Sequence, residues 1–267
     1  MKKLKSLFSR FYLLLVLAFF YLPILYVIVF SFNDSKSLSK FTGFSLQWYE
    51  KMFANRTIME SIYYTVVIAV IATVVSTIVG TIAAIGLSKS RRIVKELTLQ
   101  INNLPMMNPE IVTAISLMLL FTSLNIKTGF MTLLLAHIAF CIPYVMLSIM
   151  PKLRQMDPNL PEAALDLGAT PWQALTKVIV PEIMPGIVSG ALIAFTMSFD
   201  DFVISFFTTG PGINNISIYV YSMYKRINPS INALSTIIVV MITVVLILVN
   251  VVPLMKERKL KKNEKLG

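Results

Sequence analysis

Three carboxylates stand in stretches that are otherwise apolar: Glu110, in the run LPMMNPEIVTAISL, and the adjacent Asp200 and Asp201, in FDDFVISFFTTGP. A charged side chain at the centre of a membrane helix costs about 2.5–3.5 kcal/mol, and each Leu, Ile, Phe or Val returns only about 0.3–0.6 kcal/mol. Two central aspartates would therefore consume most of the insertion energy of their helix, so these acids are expected to face water, a partner or a cation. Successive helical residues point about 100° apart, so at most one of Asp200 and Asp201 aims straight into a path while the other reaches a neighbouring helix or the interface. No basic residue lies close by in sequence to neutralise them. The chemistry is that of a route attracting cations. A molecule with several separated ammonium groups, such as a polyamine, would meet carboxylates at different depths, and aromatic faces would add cation–π attraction. Tyr219, Tyr221 and Tyr224 are placed for that contact, or for an interfacial aromatic belt.

Other chemistries find no support. The single cysteine, Cys141, sits in an apolar run, which leaves no disulfide framework and no cysteine metal cluster; a small buried hydrophobe is its expected role. The single histidine, His137, has no second ligand near it in sequence and is expected to pack or hydrogen-bond rather than relay protons. No G-x-x-x-x-G-K-[ST] loop occurs, so the chain has no P-loop for ATP and any such energy must come from another subunit. No catalytic constellation and no metal site is expected, which weighs against a membrane enzyme.

The elements that must hold these acids are membrane spans. The chain has 267 residues, is 56% hydrophobic and has a mean hydropathy of +0.76, which exceeds an average soluble domain. Apolar runs near 11–32, 62–88, 101–124, 129–151, 183–207 and 232–255 are each long enough to cross a bilayer. The expected architecture is all-α and polytopic, with six transmembrane helices in one domain over residues 1–267. The first run is too long for a signal-peptide core and no small-residue cleavage site closes it. The net charge of +11 lies at the edges of the runs, which fits membrane orientation rather than nucleic acid. With the N-terminus inside, 17 of the 24 Lys and Arg residues fall on the cytoplasmic side, so both termini are expected there. Pro105 and Pro109 are expected to break the third span beside Glu110, which by length lies about 14 Å from the cytoplasmic end. Ser76, Gly80 and Ala84, and Gly186 and Gly190, repeat at four-residue spacing where helices should approach closely. The segment 33–61, with Trp48 and Tyr49, reads as an outer loop with an interfacial aromatic anchor.

One polar loop, about 157–181, interrupts the apolar spans on the side assigned to the cytoplasm. It contains EAALDLGATPWQALTKVIVP from Glu162. Pro161 suits the first turn of a short helix, Glu162 its positive end, and Gly168 a left-handed closure. Thr170 and Pro171 suit the N-cap and first position of a second helix, expected to end before Pro181. This segment resembles the EAA loop of the permeases of ABC importers, with Glu162, Ala163, Ala164, Gly168 and Pro181 matching and Val178 and Val180 replacing Ile and Leu. The resemblance implies that Glu162, Ala163, Ala164, Asp166, Gly168 and Pro181 couple the chain to an ATPase.

The runs around Glu110, His137 and Asp200, with IYVYSMYKRINPSINALSTI, are similar to the permeases of spermidine/putrescine importers over nearly the whole length. That resemblance implies alternating access in a bacterial cytoplasmic membrane. It also implies a second homologous permease, two cytoplasmic ATP-binding subunits using ATP and Mg, an extracytoplasmic substrate-binding protein and surrounding membrane lipid; this chain itself binds no cofactor. The alternatives are an ABC permease for another cationic or small organic solute, and an ion-coupled secondary transporter or channel.

Overall fold

The computed structural model describes residues 2–223, 228–244 and 247. The described chain is almost entirely helical, and its only sheet-like contact is one isolated antiparallel bridge, Asn33 to Phe44. It forms two compact units, residues 1–59 with 222–267, and residues 60–221.

In the first unit, α1 (Lys2–Ser31) is a long apolar helix with Pro23 inside it. None of its most apolar 18-residue stretch is buried within the chain. A folded connection follows, closed by α2 (Gln47–Ala54). The Asn33 amide donates to the carbonyls of Ser37 and Lys40 at 2.9 and 3.0 Å and accepts from the Thr42 N–H at 2.8 Å, so one side chain ties the loop together. Trp48 was expected as an interfacial anchor. Instead it is 4% exposed and donates its indole N–H to the Asn33 carbonyl at 2.7 Å. The loop's own polar backbone supplies the acceptor that a buried tryptophan requires. A short apolar helix, α12 (Ser230–Val244), belongs to the same unit, and the rest of the expected sixth span lies outside the described residues.

The second unit holds α3 (Arg56–Ser88), which begins in the first, then α4 (Arg92–Met107), α5 (Glu110–Ser123) and α6 (Phe130–Gln155). Next come α7 (Leu160–Asp166), α8 (Pro171–Ala174), a π-turn (Leu175–Ile179), α9 (Val180–Asp200), α10 (Val203–Thr208) and α11 (Ile216–Ser222). Among the described residues, four helical stretches are long and apolar enough to cross a membrane, and five if α4 and α5 together are one broken span.

The central pair is α6 against α9, and the small residues are what let them meet. A Cβ at Gly190 would lie 3.1 Å from the Val145 Cα, and one at Gly186 would lie 3.0 Å from the Ser148 carbonyl. A Cβ at Gly80 of α3 would come within 2.8 Å of a methyl of the same Val145. Backbone proximity of this kind replaces the hydrophobic drive that lipid cannot provide. Ala136, Cys141, Val145, Ile149, Ile183 and Ala194 form the buried seam, with Cys141 directed at the Ala194 carbonyl.

Two chain breaks shape this unit. Asn108 takes an extended conformation, as the residue before a proline prefers, and α4 and α5 then diverge by 106°. Pro105 lies inside α4 without ending it, so only Pro109 makes the break. The second break corrects the expectation of one continuous fifth span over 183–207: α9 stops at Asp200, and Asp201 starts a new helix by accepting the N–H groups of Ile204 and Ser205 at 3.2 and 2.7 Å.

Candidate functional site

The polar loop folds as a helix, a turn and a second helix. Pro161 occupies the first turn of α7 and Glu162 is exposed beside it. The helix closes by a Schellman motif: the Gly168 N–H donates to the Leu165 carbonyl at 2.9 Å and the Ala169 N–H to the Ala164 carbonyl at 3.0 Å. Gly168 has φ +85°, a conformation that a Cβ disfavours, and so carries the turn. Thr170 then caps α8 reciprocally, accepting from the Gln173 N–H at 3.3 Å while its own N–H donates to Gln173 Oε1 at 2.9 Å.

The second helix does not end before Pro181. It continues through the π-turn, where the Val180 N–H donates to the Leu175 carbonyl, into α9 with Pro181 at its start. The wider hydrogen-bond ring shifts the register, so Pro181, with no N–H to give, enters the helix where no donor is demanded. Of the residues singled out in this loop, Glu162, Ala163, Asp166, Gly168 and Pro181 are exposed and Ala164 is half-buried. Two large apolar side chains flank the turn in the open: Leu167, 89% exposed, and Trp172, 70% exposed. With Leu160 and Leu165 also exposed, the hairpin presents a group of apolar side chains, which fits a surface that is covered by something else.

The three carboxylates stand on packed elements: Glu110 begins α5, and α5 packs against α10, the helix that follows Asp200 and Asp201. Glu110 sits exposed in the first turn of α5, just past the 106° bend. Asp200 is exposed at the end of α9, whereas Asp201 is 7% exposed and turned inward. Inside, Asp201 belongs to a network joining α6, α9, α10 and α11. The Ser205 hydroxyl donates to Asp201 Oδ2 at 2.8 Å and takes a hydrogen bond from the Asn215 amide at 2.7 Å. His137 Nε2 lies 2.9 Å from the same hydroxyl, and its Nδ1 lies 2.7 Å from Ser198 Oγ. Because the Ser205 proton goes to Asp201, the ring gives its Nε2–H to Ser205, and in the neutral ring Nδ1 accepts the Ser198 hydroxyl proton. A neutral imidazole thus satisfies every partner. His137 Nε2 also lies 3.5 Å from Asp201 Oδ2. Asn215 completes the knot, donating to the Asp201 carbonyl at 3.0 Å and accepting the Ile218 N–H at 2.9 Å.

Tyr219 is 3% exposed, while Tyr221 is 58% exposed and packs on Phe202 and Phe206 at centroid distances of 4.9 and 5.8 Å. Tyr224 lies outside the described residues. His137 is the hydrogen-bonding residue expected from the sequence, whereas nothing in the sequence singles out its partners Ser198 and Ser205, or Asn215. The one local signal was Asp201 three residues before Ile204, the spacing at which a carboxylate accepts from the first free N–H groups of a helix. Among the described residues, no group of three or more His, Cys, Asp or Glu side chains is arranged to hold a metal.

The chain is similar to known proteins over most of its length. The chain is 38% identical over 239 residues to the spermidine/putrescine transport system permease protein PotC of Haemophilus influenzae, covering 87% of this chain and 93% of that one. It is also 38% identical to the putrescine transport system permease protein PotI of Escherichia coli K12, covering 85% and 83% respectively. Among solved structures, a bacterial ABC transporter that imports the acidic polysaccharide alginate superposes with a TM-score of 0.73 at 17% identity, over 94% of this chain and 96% of that one. At that identity the likeness speaks for the fold. Residues 76–262 match the family described as the binding-protein-dependent transport system inner membrane component, and the chain is a member of that family, a multi-pass, non-catalytic membrane subunit of an ABC transporter.

Proposed function

We propose that the chain forms half of the translocation path of an ATP-driven importer for polyamines of the spermidine and putrescine class. The observation that carries this reading is the exposure of Glu110 and Asp200 on an otherwise apolar scaffold, with α5, which Glu110 begins, packed against α10, the helix that follows Asp200. A linear polycation gains from fixed negative charges spaced along its route, and the exposed face of Tyr221 adds a cation–π surface. Asp201, being buried, acts behind that surface by fixing the α9–α10 break, and Tyr219 is buried as well. The substrates printed in the names of PotC and PotI point the same way. An ABC permease for a different cation uses the same carboxylates; membership in a binding-protein-dependent family disfavours ion-coupled transport and a free channel.

Coupling falls to the hairpin of α7 and α8. Glu162, Ala163, Ala164, Asp166, Gly168 and Pro181 shape it, and Leu167 and Trp172 offer apolar anchors for a cytoplasmic ATPase. In this scheme a second permease completes the path, two ATPase subunits hydrolyse ATP with Mg, and an extracytoplasmic binding protein delivers the substrate. Closure of the ATPases moves the hairpin, and α9, continuous with it through the π-turn, carries the movement to Asp200. Both termini lie in the cytoplasm. The test is ATPase activity of the assembled transporter with its binding protein. Spermidine-loaded binding protein is expected to stimulate hydrolysis, and equal stimulation by the unloaded protein would overturn the polyamine assignment.

A further inference from the structure

The C-terminal end of α6 and the facing side of α4 enclose a cavity of about 260 Å³ that plays no part in the path described above. Its walls are Leu99, Leu147, Met150 and Pro151, and its polar groups are Asn102, Asn103 and Arg154. Three groups there are open to a ligand. The Asn102 Nδ2 is buried and has no hydrogen-bond partner. A buried donor left unpaired is costly and requires an acceptor. Among the described residues Arg154 makes no ion pair or side-chain hydrogen bond. Pro151 has no N–H, so the Leu147 carbonyl loses its usual helical donor.

Charge decides what fits. Lys95 lies one turn before Leu99 on the same face of α4, and Lys152 accompanies Arg154 in the last turn of α6. These full positive charges outweigh the roughly half-unit negative charge of a helix C-terminus. The transported cation is therefore repelled, and a phosphate-bearing anion is favoured. A planar guanidinium with an amide N–H beside it is a fork for phosphate oxygens. The apolar walls, opening past Leu147 at 50% exposure, have no use in holding a small soluble anion but would receive an acyl chain. On the charge-bias orientation proposed above, this end of α6 lies at the cytoplasmic leaflet, where anionic headgroups meet basic pockets between helices.

We propose that this cavity binds the phosphate of an anionic phospholipid in the cytoplasmic leaflet, with Arg154 and the Asn102 amide as donors and the Leu147 carbonyl accepting a headgroup hydroxyl. The inference takes its orientation from the functional reading, but its readout is lipid binding rather than transport, so the two fail separately. The assembled transporter would be placed in phosphatidylcholine nanodiscs with increasing phosphatidylglycerol, and retained lipid counted by native mass spectrometry. Arg154→Gln is expected to weaken phosphatidylglycerol retention by about tenfold, the loss of one charge-assisted contact, and Asn102→Leu, which keeps the volume and removes the donor, by a smaller factor. Retention unchanged in both variants would overturn the site. Displacement of the lipid by millimolar inorganic phosphate would overturn the lipid as its occupant and leave a soluble anion in its place.

Discussion

Asp200 and Asp201 are consecutive in the chain and face opposite environments: Asp200 ends α9 exposed, while Asp201 is 7% exposed and accepts hydrogen bonds from the Ile204 and Ser205 N–H groups and the Ser205 hydroxyl. The helix break puts them there. Neutralising the two should therefore have different consequences. Asp200→Asn is expected to leave thermal stability within about 0.5 kcal/mol, as for other surface changes, and to raise the KM for polyamine roughly tenfold. Asp201→Asn is expected to cost about 1–3 kcal/mol through weakened caps. Thermal unfolding of the purified transporter alongside uptake kinetics separates the two, and equal effects on both readouts would merge the roles.

The His137 ring joins α6 to Ser198 of α9 and Ser205 of α10. His137→Leu removes a donor and an acceptor from a buried site and is expected to destabilise the protein by about 2–4 kcal/mol. His137→Gln retains an amide that can serve one hydroxyl and should recover part of that loss. A melting temperature no different between the two variants would show that the polar contacts are not what the ring contributes.

At Gly168, φ is +85° and a Cβ would meet nothing within 4 Å, so a substitution there acts on the backbone alone. Gly168→Val is expected to cost about 1–2 kcal/mol of left-handed strain and to distort the hairpin without disturbing the spans. The measurement is the ratio of ATP hydrolysed to substrate moved, which should rise. Normal transport at a normal ratio would remove Gly168 from the coupling route.

Leu167 and Trp172, 89% and 70% exposed, are predicted to be buried by the ATPase. Trp172→Asp should reduce co-purification of the ATPase subunits by a factor of about 30 or more, the loss of an aromatic anchor worth at least about 2 kcal/mol. Retention of the ATPase at the wild-type stoichiometry would place the docking surface elsewhere.

Gly190 tests the α6–α9 seam independently of function. With a would-be Cβ 3.1 Å from the Val145 Cα, Gly190→Val forces the two helices apart and is expected to cost about 1–3 kcal/mol, seen as a lower melting temperature. A melting temperature equal to that of the wild type would mean that the seam yields without loss.

How much of this was legible in the sequence depended on how local each cause is. The break beside Glu110 could be read because Pro109 dictates the conformation of Asn108 from one residue away. Gly168 and Thr170 likewise announce their caps locally. The break after Asp200 could not be read: FDDFVISFF carries no proline or glycine, and the partners that satisfy it, His137 and Asn215, lie 68 and 10 residues from Ser205. Pro181 misled in the opposite way, since a π-turn two residues upstream absorbs a proline that would end an ordinary helix. Trp48 looked interfacial because its acceptor, the Asn33 carbonyl, is fixed only when the loop folds.

The most direct measurement is ATP-dependent uptake of labelled spermidine into proteoliposomes containing this chain with its partner permease, ATPase and binding protein, with unlabelled putrescine and an unlabelled amino acid as competitors. Uptake that requires ATP, is blocked by putrescine and is untouched by the amino acid is the predicted result. ATP hydrolysis stimulated by the binding protein with no polyamine accumulation would contradict the substrate assignment and the role given to Glu110 and Asp200.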